Sequence, residues 1–261
     1  MFAEPITPRG IAAFARIRSS RLLLVQTLLA LLATGALIWF LDENCFSAIQ
    51  TGIANLPDTG RISYGKLDWP EGSPRMIVER RLLAIDVDLD HSGRIHSTAD
   101  IQVEFGRTSI RLFSFLGYSD VVYARDWPMP FNRTDLEPLW GAWMAEILAL
   151  SALAALLGLL LSWIVLATLY FGPAWLLGFF LNRDLNLRSA WKLSLAALMP
   201  GALLMIIGIL LYNAGFLNLI PLSLIFLWHF ALGWIYVIAG VFFVPPMAAG
   251  PKGNPFGEPG K

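Results

Sequence analysis

Residues 22–41 read LLLVQTLLALLATGALIWFL, twenty positions without a formal charge. An α-helix rises 1.5 Å per residue, so this stretch reaches about 30 Å, the thickness of the hydrocarbon core of a bilayer. Arg9, Arg16, Arg18 and Arg21 precede it, and Asp42-Glu43-Asn44 follow it. A cleaved secretory signal has a shorter apolar region and then a small-x-small site. The stretch therefore reads as an uncleaved signal anchor, with Trp39 and Phe40 where interfacial aromatics sit.

Three further regions, 144–182, 189–212 and 219–244, are almost as free of charge. The chain is 56% hydrophobic and 15% charged, whereas a soluble domain carries about 25% charged residues. The deficit is local, because residues 42–138 hold ten basic and fifteen acidic side chains. A net charge of zero argues against nucleic-acid binding. The single cysteine, Cys45, excludes an intramolecular disulfide and a four-cysteine zinc site. Glu43-Asn44 before it is unlike a lipoprotein cleavage site.

The region Trp143–Leu181 is too long for one crossing, since 39 helical residues would reach about 58 Å. Two spans with a tight turn, or one span plus a surface segment, both account for its length. Gly172-Pro173 supplies a break, because proline lacks the N–H and clashes with the preceding turn. Basic residues favour the second option. With one span at about 144–168, the nine basic residues outside the polar region all fall on the side of the N-terminus, as the positive-inside tendency requires.

These readings give an α+β membrane protein with four transmembrane helices. A small β-rich extracytoplasmic domain (42–138) is inserted between spans 1 and 2. Residues 1–21 are the cytoplasmic N-terminus, and 139–245 form a three-span helical domain with a short interfacial helix near 174–182. Residues 246–261, rich in proline and glycine, read as a disordered cytoplasmic tail. The expected location is the inner cell membrane, multi-pass, with both termini cytoplasmic.

Within the third span, Pro200-Gly201 deprives the Ala196 carbonyl of its helical partner and predicts a kink. The kink serves packing, or shapes a cavity or hinge. Small residues such as Ser151, Ala155 and Gly158, or Gly233, Ala239 and Gly240, predict close helix packing.

In the polar region, Ile101, Val103 and Phe105 alternate with Gln102 and Glu104, the period of a strand with one buried face. With the runs at 76–78, 82–85 and 109–123, this predicts a small antiparallel sheet, backed by a short helix near Phe46–Ile53. Asp86, Asp88 and Asp90 alternate, which on a strand aims three carboxylates at one face. Such a row suits a hard cation, although the EF-hand glycine is misplaced and a solvated face explains the same residues. His91 and His96 flank the next turn without a recognised zinc spacing.

Inside the spans, Glu146 and His229 are the intramembrane ionisable candidates, and such residues are costly enough to suggest function. Facing the bundle interior, they could contact a small polar substrate or a proton. The alternative has His229 bonding a neighbouring helix and Glu146 reaching the headgroups. No nucleophile elbow, phosphate loop, dinucleotide fingerprint or metalloprotease helix is present, so a non-enzymatic role without a cofactor is expected.

The anchor, then "LPDTGRISYGKLDWPEGSPRMIV", "LLAIDVD" and "LRSAWKLSLAALMPGALLMIIGILL", resembles a bacterial membrane-protein family of unknown function, of a type found near maltodextrin-utilisation genes. The last spans resemble the wider Yip-type membrane domain, with Pro200 at its mid-helix proline. The resemblance implies a bacterial cell membrane and an accessory role, and it transfers no functional residues. The resulting expectation is a membrane accessory or sensor-like protein whose outer domain binds a ligand or partner. The alternative is a small transporter component working as an oligomer. Expected partners are the lipid bilayer and a membrane protein or a second copy of the chain, with no nucleic acid.

Overall fold

The computed structural model describes residues 6–126 and 128–247. The tail from residue 248, expected to be disordered, lies outside the described residues. The fold is α+β, with four helical segments long and apolar enough to cross a membrane and a separate β-sheet domain. The segments are Ser19–Ala54, Arg133–Phe180, Leu187–Asn213 and Leu219–Phe243. The chain forms two compact units. One comprises the residues through Ala30, Gly158–Leu204 and those from Leu227; the other comprises Leu31–Leu157 and Met205–Phe226.

In the first unit, α1 (Pro8–Phe14) starts with proline at its first position and Thr7 as its cap, whose Oγ1 accepts from the Gly10 N–H. The third apolar segment is two helices, α5 (Leu187–Ala197) and α6 (Met199–Asn213), separated at Leu198. The interruption expected from Pro200 is therefore present, two residues ahead of the proline. An interrupted helix leaves carbonyls without partners, and a neighbour must serve them where no water reaches. Gln26 of α2 (Ser19–Leu41) does so, its Nε2 donating to the Leu195 carbonyl at 2.7 Å in a buried setting.

Close approaches in this unit depend on glycine. A Cβ at Gly201 would lie 2.6 Å from the His229 carbonyl oxygen of α7 (Leu219–Phe243). Gly233 faces Tyr170 and Gly240 faces Ile11, so two of the small residues singled out above do pack closely. Gly158 has open space around it, and Ser151 and Ala155 are only half-buried.

The break expected at Gly172-Pro173 is absent. Helix α4 runs from Arg133 to Phe180 as 48 continuous residues, so no separate interfacial helix exists at 174–182. Pro173 lies on the exposed side of α4, while Trp163, Ala167, Tyr170, Ala174 and Gly178 are its buried residues. The proline's lost hydrogen bond falls away from the packed stripe, which continues past it at helical spacing.

In the second unit, α2 passes through a π-helical turn (Asp42–Phe46) into α3 (Ser47–Ala54), the short helix expected there. The domain that follows has two sheets. Strands β1 (Arg61–Ser63), β2 (Lys66–Asp68) and β8 (Met129–Pro130) form one, in the order β2-β1-β8. The other has the sequential order β3-β4-β5-β6-β7, over Arg75–Glu79, Leu83–Val87, Ile101–Phe105, Ser109–Ser114 and Gly117–Val122. It is not purely antiparallel, because β4 and β5 run parallel, with Asp86 opposite Glu104. Parallel neighbours need a crossover, and residues 88–100 provide it without forming a helix.

The buried core of this domain is Leu56, Ile62, Leu67, Trp69, Ile77, Val87, Tyr123 and Phe131. Polar contacts tie the domain and the π-helical turn to the end of α6 and the loop after it. Tyr212 Oη donates to Asp100 Oδ2 at 2.6 Å, Arg81 donates to the Tyr212 and Leu217 carbonyls, and Asn44 Nδ2 donates to Asn213 Oδ1 at 2.8 Å.

Gly201→Ala places a methyl group against a backbone carbonyl that cannot rotate away. The expected result is a loss of about 1–3 kcal/mol, the usual range for overpacking, read as a lower midpoint in thermal unfolding of the detergent-solubilised chain. An unchanged midpoint would mean that α6 and α7 are not held at this spacing.

Candidate functional site: an apolar cavity in the sheet domain

Two regions of the sheet domain concentrate unusual chemistry, on opposite faces of the five-stranded sheet. On one face the residues in register across the strands are Asp86 of β4, Glu104 of β5, Arg111 of β6 and Asp120 of β7. Asp86 and Glu104 are 0% and 2% exposed, so two acids sit side by side with little water. Glu104 pairs with His91 Nδ1 and lies 3.9 Å from an Arg111 nitrogen, while Arg111 Nε donates to Asp120 at 2.9 Å. His91 reaches Glu104 from the crossover, in a backbone conformation with φ of +50°. Its ring occupies the space where a Cβ on Gly106 would stand.

Asp86 Oδ1 accepts from Gln102 Nε2 at 2.8 Å, while Oδ2 is buried without a partner. Burial raises the Asp86 carboxyl to about 6, and the neighbouring Glu104 and Asp88 charges add to the shift against the opposing Gln102 bond and His91.

The carboxylate row expected at 86, 88 and 90 does not form. Strand β4 ends at Val87, so the alternation stops before it can align the three side chains. Asp88, 1% exposed, turns its Oδ2 to the Ser92 hydroxyl at 2.7 Å and the Gly93 N–H at 3.1 Å, stabilising the turn. Asp90 is exposed and pairs with Arg107. His96 is exposed, on the crossover that the parallel pairing of β4 with β5 requires, while His91 is turned to Glu104. Among the described residues no group of three or more His, Cys, Asp or Glu side chains is arranged to hold a metal ion.

Glu146 and His229, the ionisable candidates of the apolar segments, belong to different units. Glu146 is exposed on α4, which corrects the expectation that it faces the bundle interior. His229 is half-buried, with its backbone carbonyl against Gly201, so the helix break and this residue do come together.

The opposite face of the sheet is apolar and backed by α3. Gly52 permits the approach, since a Cβ there would lie 3.2 Å from Val78 and 3.5 Å from Ile85. Packing is incomplete beside this contact. A cavity of about 380 Å³ lies between α3, the sheets and the start of α4. Ile49, Ile53 and Leu56 of the α3 region form one wall, Ile77, Ile85, Phe105 and Ile110 the sheet wall, and Leu136 and Trp140 of α4 a third. A second cavity of about 270 Å³ shares Ile53, Leu136 and Trp140 and continues along Leu139, Trp143 and Ile147.

Ligand sites commonly measure about 300–1,000 Å³. Neither cavity is lined by a charged side chain or a hydroxyl. Trp140 Nε1 is buried without a hydrogen-bond partner, an uncommon condition for an indole N–H. A larger, more open polar hollow of about 580 Å³ lies beside β1 and β8. Several of its polar groups are already engaged with each other, as in Asn132 with Asp135 and Thr134 with the Asp58 carbonyl.

No residue pattern in the sequence pointed to the apolar cavity, because its wall has the composition of an ordinary core. The available signal was helical spacing: 49 and 53 on α3, and 136, 140, 143 and 147 on α4, each run presenting one apolar stripe. Comparison of the chain with family models, curated proteins and solved structures finds no match.

The acidic face makes stability depend on pH with a defined sign. A carboxyl raised from 3.8 to about 6 in the fold binds its proton more tightly folded than unfolded. Its contribution to stability is therefore greatest below pH about 4 and is lost as pH rises to about 6. Asp86→Asn should raise the unfolding midpoint at pH 7, by on the order of 1 kcal/mol in stability. The gain should shrink to nothing by pH 4 in a melting series, and a gain independent of pH would refute the assignment.

Proposed function

We propose that the chain is an integral membrane accessory or sensor-like protein whose sheet domain, held outside the cytoplasm by an uncleaved signal anchor, binds a ligand. The observation that carries this reading is the apolar cavity bounded by α3, the sheets and α4. A domain of this size ordinarily packs to crystal-like density. Here Ile49, Ile53, Ile85, Phe105, Ile110 and Leu136 all remain half-buried around one space. Filling it would remove that apolar surface from water at roughly 25 cal/mol per Å².

The topology follows from charge. Arg9, Arg16, Arg18 and Arg21 stand before the first span, and Arg183, Arg188 and Lys192 stand between the second and third. Both groups lie on one side of the membrane when the sheet domain lies on the other, in keeping with the positive-inside tendency. Both termini are then cytoplasmic. An enzymatic role gains no support from the cavity, whose lining offers no acid, base or nucleophile.

Thermal unfolding of the purified full-length chain against a panel of water-soluble apolar compounds tests this reading. A compound bound at a hundred times its Kd adds about 2.7 kcal/mol, which raises the midpoint by roughly 5–10 °C for a chain of this length. Ile53→Trp, which fills the cavity from the α3 wall, should abolish the shift, and Leu136→Trp should do so from the α4 wall. If no compound stabilises the native chain more than these variants, the cavity is not a ligand site.

A further inference from the structure

We infer that the cavity takes one acyl chain of a lipid from the outer leaflet, which enters sideways between α3 and α4 with its polar end left outside. This inference rests on the ligand-binding reading above and specifies the ligand. Three observations carry it.

The first is the chemistry of the wall. The inner cavity is lined by isoleucine, leucine, phenylalanine, methionine, proline, glycine and tryptophan, with no ionisable side chain, hydroxyl or amide. A carboxylate, sugar or peptide buried there would lose its hydration without a partner, which costs several kcal/mol. The interior therefore suits hydrocarbon, and the acyl end of an amphipathic molecule meets that requirement.

The second is the route. The two cavities share Ile53, Leu136 and Trp140, so they adjoin. The second follows the α4 stripe at 139, 143 and 147, and Ile147 opens the charge-free stretch that runs to residue 182. A chain moving from the bilayer along this stripe would stay on apolar side chains throughout.

The third is the arrangement at the mouth. Trp140 and Trp143 stand one turn apart on α4, just ahead of its charge-free stretch, and tryptophan is enriched at the boundary between headgroups and hydrocarbon. Trp140 also carries the unpartnered Nε1 where the two cavities meet. The ester or amide region of a lipid whose tail lies in the inner cavity comes to this level, and its carbonyl is an acceptor of the type the indole lacks.

The test uses the full-length chain in liposomes containing phosphatidylethanolamine with a photoactivatable diazirine at mid-chain, followed by mass spectrometric mapping of the labelled residues. The inference predicts labelling of strand residues Ile77, Ile85 or Ile110 in addition to the spans. Ile53→Trp and Leu136→Trp should reduce that strand labelling at least tenfold and leave labelling of the spans unchanged. Labelling confined to α2, α4, α6 and α7, with the strands unlabelled, would overturn the inference. In that case, stabilisation of the native chain by a soluble apolar compound would leave the ligand-binding reading standing. Its absence as well would remove both.

Discussion

The sheet domain closes its core with helices that it does not own. Helix α3 continues α2 through one π-helical turn, and the wall opposite is the first part of α4, which runs on through an apolar stretch. The separation of these two walls therefore answers to two demands: the packing of the sheets, and the course of the long helices. A free-standing domain can shift a helix until its core is filled to the usual density. This one cannot, and the result is a wall of half-buried isoleucines around an unfilled space. The domain is also tied to the end of α6 and the loop after it by Tyr212 with Asp100, Arg81 with Leu217 and Asn44 with Asn213.

Polar groups away from water are handled differently in the two units. Where Pro200 interrupts the third segment, a glutamine from another helix supplies a donor, and a glycine lets α7 come against the break. Both are inexpensive solutions to an orphaned backbone. In the sheet, Asp86 keeps an unpartnered oxygen beside Glu104, and only His91 and Arg111 offset the second acid. The carboxyl responds by holding its proton to about pH 6. Its face of the sheet is separate from the cavity, so the pH dependence of stability and the binding of a ligand are physically distinct properties.

The sequence made some of this legible and concealed the rest for physical reasons. The absence of charge over about twenty residues is a strong constraint, so all four segments and the position of the sheet domain could be read directly. Pro173 misled because its effect depends on the side of the helix it occupies: on the exposed side of α4 it interrupts nothing. The parallel pairing of β4 with β5 was hidden because alternation within a strand says nothing about the direction of its neighbour. Asp86, Asp88 and Asp90 read as one row on an open face, for a cation or for water, since period-two spacing does not say where the strand ends or what covers it; β4 ends at Val87 and the first two are buried. The cavity left only the apolar stripes of its helical walls, which any packed core would also show. An unfilled space lined by isoleucine and an occupied core have the same composition, and only coordinates separate them.

Native mass spectrometry of the full-length chain, solubilised in a mild detergent, distinguishes an occupied cavity from an empty one. A stoichiometric adduct of lipid mass should appear on the native chain, survive detergent exchange and disappear when Ile53→Trp fills the cavity. A bare polypeptide mass for both proteins would contradict an occupied cavity, as would an adduct equally abundant on both.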